Sequence, residues 1–305
     1  FTYTGSSYYI DLGSGQTLWK YKIDRSRYDI NAGVDGQYFT AGANYEPVED
    51  DRIYTGNLAS SAEETLLLVP DYTPVTNPPF NGQGRVTVML AFSSGGNKYL
   101  AFGIENPYTE QTESGWGLTE LNLFNVTQNK YAYSKIPLNL SHETRVIYDL
   151  IYDGTNLFCQ STNYIHCFDA MTGYERWRTR VGSKPVLSSM ILADGRLYTA
   201  NEDRYVYCLD PNIGQIIWRK ESTGTCSELS YLNGVIYFLG GGDGLLHAVD
   251  ASTGDQLWKV QSPDLKKNSG AFFYGSCIAV QGQGDKKPVV VATTGLNAYA
   301  FEAIK

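Results

Sequence analysis

The stretch Asp250-Ala-Ser-Thr-Gly-Asp-Gln-Leu-Trp258 decides the fold, because the chain repeats it. Asp210-Pro-Asn-Ile-Gly-Gln-Ile-Ile-Trp218 and Asp169-Ala-Met-Thr-Gly-Tyr-Glu-Arg-Trp177 keep the same fixed positions, with Gly254, Gly214 and Gly173 each four residues after the Asp. Near the start, Asp11-Leu-Gly-Ser-Gly15-Gln-Thr-Leu-Trp19 is a fourth copy. A worn fifth, Asn125 to Tyr133, has Asn for Asp, Asn129 for Gly and Tyr for Trp. The later copies recur about every 40 residues, a period that points to a propeller or a solenoid.

The chemistry of one copy explains the recurrence. A short alternating strand precedes the Asp, as in Tyr205–Leu209 or Leu245–Val249, and a second strand ends in Trp. The chain must reverse between them. The Asp is expected to accept hydrogen bonds from turn amides, and the Gly to take a positive φ that strains other residues. Asn is the next most tolerant residue there, which fits Asn129 in the worn copy. The Trp offers a large apolar ring with one N–H, suited to wedging one sheet against the next as a buried side chain.

A second landmark is Val34-Asp-Gly-Gln-Tyr-Phe-Thr-Ala41, echoed by Ala193–Ala200 and more loosely by Tyr152–Phe158 and Leu232–Phe238. Asp-Gly and Asn-Gly between apolar runs are strong hairpin signals. Each unit thus has two hairpins and four antiparallel strands, which is one propeller blade. The expected fold is an all-β propeller forming a single domain over residues 1–305, with its N- and C-terminal segments paired to close it. Motif positions at Asp11, near Asn57, Asn125, Asp169, Asp210, Asp250 and Glu302 favour seven blades and leave six or eight open. A Pro-rich loop (Pro70–Phe80) and an insertion (Asn106–Gly117) interrupt the first half.

Composition agrees. Tyr (24) and Gly (31) are abundant, as strands and tight turns require. A net charge of −8 argues against nucleic acid as a partner, since phosphate binding needs a basic face. No apolar run is long enough for a membrane helix, and no signal-peptide pattern begins at Phe1.

The Asp-x-x-Thr-Gly-x-x-x-Trp repeat resembles the tryptophan-docking repeat of the quinoprotein-like (PQQ-repeat) β-propellers, most clearly over residues 150–261. The resemblance is to the BamB-like, non-catalytic branch. The catalytic branch carries an adjacent Cys-Cys pair, a quinone and calcium. No two of Cys159, Cys167, Cys208, Cys226 and Cys277 are adjacent, so no residue is assigned as catalytic, cofactor-binding or metal-binding, and no cofactor is expected. The resemblance implies export to the periplasm or outer membrane, and it is compatible with a lipid anchor upstream of Phe1.

The remaining signals have structural readings. Cys167 and Cys208, two residues before a motif Asp, read as small core residues. His166 and His247, three before it, read as core or inter-blade hydrogen-bonders. Gly240-Gly-Gly-Asp-Gly244 reads as a turn between strands rather than a phosphate loop. The acidic run Glu46–Asp51 lacks the spacing of a calcium loop and reads as a solvated surface. Loops on a rigid scaffold are where binding usually resides, so the loop aromatics Tyr45, Tyr72, Phe80, Tyr108 and Trp116 are the candidate binding surface. The functional expectation is a protein-interaction scaffold with unnamed protein partners. The alternative is a propeller that binds or processes carbohydrate.

Overall fold

The structure, a computed structural model, describes residues 6–10, 16–22, 28–43, 52–59, 64–70, 85–105, 119–138, 147–161, 163–182, 189–201, 203–224, 227–266 and 272–303. Among them β1 (Ser6–Ile10) and β2 (Thr17–Lys22) form a two-stranded sheet. A four-stranded sheet follows from β3 (Tyr28–Val34), β4 (Gln37–Ala43), β5 (Ile53–Asn57) and β6 (Thr65–Leu68). The next is β7 (Arg85–Ser94), β8 (Asn97–Glu105), β9 (Thr119–Asn125) and β10 (Lys130–Pro137). Then come β11 (Ile147–Tyr152), β12 (Asn156–Ser161), β13 (Tyr164–Asp169) and β14 (Glu175–Arg180). They are followed by β15 (Met190–Ala193), β16 (Arg196–Asn201), β17 (Tyr205–Leu209) and β18 (Ile216–Glu221). The sixth sheet is β19 (Ser230–Leu232), β20 (Val235–Leu239), β21 (Leu246–Asp250) and β22 (Gln256–Val260). A short 3₁₀ turn (Pro263–Lys266) leads to a three-stranded sheet of β23 (Phe273–Val280), β24 (Val289–Thr294) and β25 (Ala298–Glu302).

Each four-stranded sheet is antiparallel and runs in chain order, as the two-hairpin unit predicts. The first hairpin turns on two residues of positive φ, which matches the right-handed twist of the flanking strands. These are Asp35-Gly36 (φ 44 and 75), Asp194-Gly195 (48 and 68) and Asn233-Gly234 (51 and 78). Gly95-Gly96 (55 and 76) makes the same turn without the Asp-Gly signature. Tyr152–Phe158 departs from it. There only Gly154 has positive φ, and the Asp153 carboxylate accepts the amides of Thr155 and Asn156 instead.

Burial follows strand position. β13 and β17 lie inside their sheets and are almost continuously buried, whereas the edge strand β14 alternates between half-buried and exposed. The sheets group into two compact units. The first ends at Ile147 and also takes in Met171–Gly173; the second holds the rest. In the first unit, Phe39, Ile53, Leu100, Phe102 and Ile104 join β3–β6 to β7–β10 in one core. In the second, three cores join successive sheets. One holds Phe158 and Tyr207, the next Tyr198 and Phe238, and the last Tyr237 and Phe273.

The first strands of the second unit are also tied in series. The Met190 amide donates to Asp149 Oδ2 (2.6 Å), that of Leu229 to Ser189 Oγ (3.2 Å), and that of Ala279 to Ser230 Oγ (2.8 Å). Cys159, Cys167, Cys208 and Cys277 are buried free thiols, and Cys226 lies outside the described residues. Terminal pairing was expected of Phe1–Lys22 with Ala271–Glu302; among the described residues β1 and β2 pair with each other, and β23, β24 and β25 form a sheet of their own.

Candidate functional site

The motif turn is built as its residue types require. The Asp210 and Asp250 side chains accept the amides of Asn212 and Ser252, each at 2.8 Å. Asn125 does the same for Gln128 at 2.9 Å. Gly173, Gly214 and Gly254 have φ of 70, 71 and 74, and Asn129 in the worn copy has 50. Gly240 to Gly244 forms the same turn, since the Gly244 amide reaches the Gly240 carbonyl as Gly254 reaches Asp250. Its glycines lie between strands, as read from sequence.

The motif tryptophans act across sheets. Trp177 Nε1 donates to the Pro211 carbonyl (3.0 Å) and Trp218 Nε1 to that of Ala251 (3.2 Å). Each acceptor lies one residue past the motif Asp of the following sheet. The same indoles rest on that sheet's motif glycine. A Cβ on Gly214 would lie 2.4 Å from Trp177 Cε3, and one on Gly254 would lie 2.7 Å from Trp218 Cε3. The glycine is thus required both by its φ and as the seat of a ring. Trp258 packs against the core shared with the last sheet. All three rings are half-buried rather than fully buried as expected, because each rises from an edge strand with one side open to solvent. Opposite them in register stand the small residues Cys167, Cys208 and Ala248. Burial pushes the Cys167 thiol up to about 12, so it stays protonated. Tyr133, the worn counterpart, pairs with Leu123.

Among the described residues, a polar ring that meets a carboxylate stands three residues before Asp169, Asp210, Asp250 and Glu302. His166 Nδ1 lies 2.8 Å from Glu175 Oε1, and the Tyr207 hydroxyl donates to Asp203 (2.5 Å). His247 Nε2 lies 3.1 Å from both Asp243 oxygens. Tyr299, three before Glu302, donates to Asp264 (2.5 Å). The His166 hydrogen bond holds the Glu175 carboxyl below its usual range. Burial would raise Asp243, but contacts with His247, the Leu245 amide and Thr223 together pull it down. Asp203 and Asp243 both stand seven residues before the motif Asp, a repetition visible in the sequence once the copies are aligned. Asp264 comes from the 3₁₀ turn and has no such signal. Both histidines bond within their own sheets, which selects the core reading over the inter-blade one.

Ser161 Oγ lies 3.1 Å from His166 Nε2, so Ser161, His166 and Glu175 form a relay with the atom order of a catalytic triad. Ser161 is fully buried and His166 is 1% exposed, leaving a substrate no approach to the hydroxyl. The relay fastens β12, β13 and β14 together.

These motif turns, edge-strand rings and polar pairs recur sheet after sheet. Residues 161–302 match the family model described as outer membrane protein assembly factor BamB. The fold is that of a β-propeller. BamB from Moraxella catarrhalis has the same fold, with a TM-score of 0.61 at 13% identity over 99% of this chain and 81% of that one. A chain of the mitotic checkpoint complex gives 0.60 at 13%, covering 90% of this chain and 73% of its own. The computationally designed Ika8 protein gives 0.55 at 11%, covering 99% and 91%. No curated protein matches the sequence. At such identities the likeness shows the propeller fold alone.

In this propeller Asp11 and Gly15 lie outside the described residues, and Trp19 is placed on β2 opposite Tyr9. The candidate surface of Tyr45, Tyr72, Phe80, Tyr108 and Trp116 lies wholly outside them, as do Glu46–Asp51. Among the described residues, no group of acidic, His or Cys side chains is arranged to hold a metal, and no helix is long and apolar enough to cross a membrane. A cleft of about 150 Å³ opens beside β18, β21 and β22, where Lys220 Nζ pairs with Asp255 Oδ1 at 2.8 Å. No sequence pattern marked it, because its polar residues fall at variable positions of the repeat.

Proposed function

We propose that this chain is a non-catalytic scaffold of the cell envelope, a propeller that holds partner proteins during outer-membrane assembly. The observation that carries this reading is the match of residues 161–302 to the outer membrane protein assembly factor model, over the sheets with the most complete motifs. The disposition of polar groups supports it. His166, His247, Tyr207 and Tyr299 are each engaged by a carboxylate that fixes a strand or turn, an arrangement suited to a rigid frame. On this reading the protein is exported, needs no cofactor, and binds through loops and edges carried on the frame. Chemical crosslinking of intact envelopes, followed by mass spectrometry of the recovered chain, tests it. The expected result is a reproducible crosslink to an envelope assembly protein. Recovery as an uncrosslinked monomer outside the envelope fraction would contradict it.

A further inference from the structure

The cleft between the fifth and sixth sheets has a buried apolar wall of Phe238 and Val249 and an exposed polar rim of Lys220, Glu221, Asp255 and Gln256. Lys220 is committed to Asp255 Oδ1. The Gln256 amide nitrogen is committed twice, to the Trp258 carbonyl at 2.8 Å and to His247 Nδ1 at 3.3 Å. This leaves the Gln256 carbonyl oxygen as an acceptor without a protein donor among the described residues. The Glu221 carboxylate has no ion pair or hydrogen bond among them either, while the Asp255 carboxyl takes both the Lys220 ammonium and the Thr253 hydroxyl. One ammonium faces two carboxylates, so the rim carries a net negative charge.

Three open oxygen acceptors above an apolar wall call for a guest with several N–H donors, a positive charge and an aliphatic stem. At about 150 Å³ the cleft is below the roughly 300 Å³ from which small-molecule pockets start, but it is large enough for the end of one side chain. A guanidinium offers five donors in a planar fork, where an ammonium offers three at a point. The cleft also opens beside β18 and β22, the edge strands of their sheets, along which an extended partner segment can lie. We propose that this cleft is the anchor site for a single arginine side chain of a protein partner. The proposal rests on the scaffold reading and names the chemistry of its contact.

Amide NMR of the whole chain titrated with N-acetyl-arginine amide tests it, with the lysine and glutamate analogues as comparators. The arginine probe is expected to give saturable shifts at Glu221, His247 and Gln256, more strongly than lysine, with none from glutamate. Glu221→Gln should weaken binding by about two- to fivefold, the range of an exposed ion pair. Lys220→Met, which removes the competing ammonium and keeps the stem, should tighten it by a similar factor. Absence of shifts, equal response to lysine or glutamate, or weaker binding in Lys220→Met would overturn the proposal. Envelope crosslinks surviving that failure would keep the scaffold and move its contact elsewhere; loss of the crosslinks with arginine binding intact would remove the scaffold reading itself.

Discussion

Gly214 and Gly254 each satisfy two demands, and only one of them is visible in the sequence. The four-residue offset from Asp announces a tight turn and hence a positive φ, which the structure bears out at 71 and 74. That the same atom seats the indole of the preceding sheet could not be read, because the contact spans a whole repeat. The two demands separate experimentally. Gly284 has φ 60 with nothing near its missing Cβ, so Gly284→Ala should cost only the backbone term, about 1 kcal/mol. Gly214→Ala adds a clash with the Trp177 ring and should cost roughly 3 kcal/mol. Urea melts giving equal losses would mean that the ring does not rest on the glycine. Asn125 shows the converse. Its Asn-Val-Thr run has the form of a sequon, and its side chain is buried and caps the turn that its repeat position requires.

At the scale of the element, strand boundaries were legible where turn chemistry was strong. Asp35-Gly36 and Asp194-Gly195 fixed their hairpins, whereas Gly95-Gly96 gave no Asp to notice. The carboxylates behind the polar rings were half-legible. Asp203 and Asp243 repeat at one offset, but Glu175 and Asp264 reach equivalent rings from other elements. Two carboxylates should have opposite pH signatures. Asp243 is depressed, so its contribution is present above the ordinary carboxylate range near about 4 and is lost as pH falls through its lower folded value. Asp243→Asn should therefore cost about 1–2 kcal/mol at pH 7 and little near pH 2. Burial raises Asp149 to about 6, with partial relief from the Met190 and Leu150 amides and a further push from Glu228. Its folded pKa exceeds the unfolded value, so ionisation penalises the fold increasingly as pH rises from about 4 to 6. Asp149→Asn should gain about 1–2 kcal/mol on the parent across that window and hold the gain above it. Melts from pH 3 to 8 check both signs. A gain for Asp149→Asn already complete at pH 3 would refute its assignment.

At the scale of the molecule, the second half was legible because its repeats are intact. Three full motifs set the register of three four-stranded sheets, and Glu302 ends β25 at the expected motif position. In the first half, the Val34–Ala41 landmark placed the β3–β4 hairpin on Asp35-Gly36. Its candidate loop aromatics lie outside the described residues. If motif contacts link successive sheets, stability should behave as a chain of nearest-neighbour terms. A double-mutant cycle on Trp218→Ala and Gly254→Ala, with Trp177→Ala and Gly254→Ala as the unlinked control, measures that link directly. The account predicts coupling above about 1 kcal/mol for Trp218 with Gly254, and below about 0.5 kcal/mol for Trp177 with Gly254. Additive losses in both cycles would show that the tryptophan does not dock on the following sheet's turn, and would contradict the account.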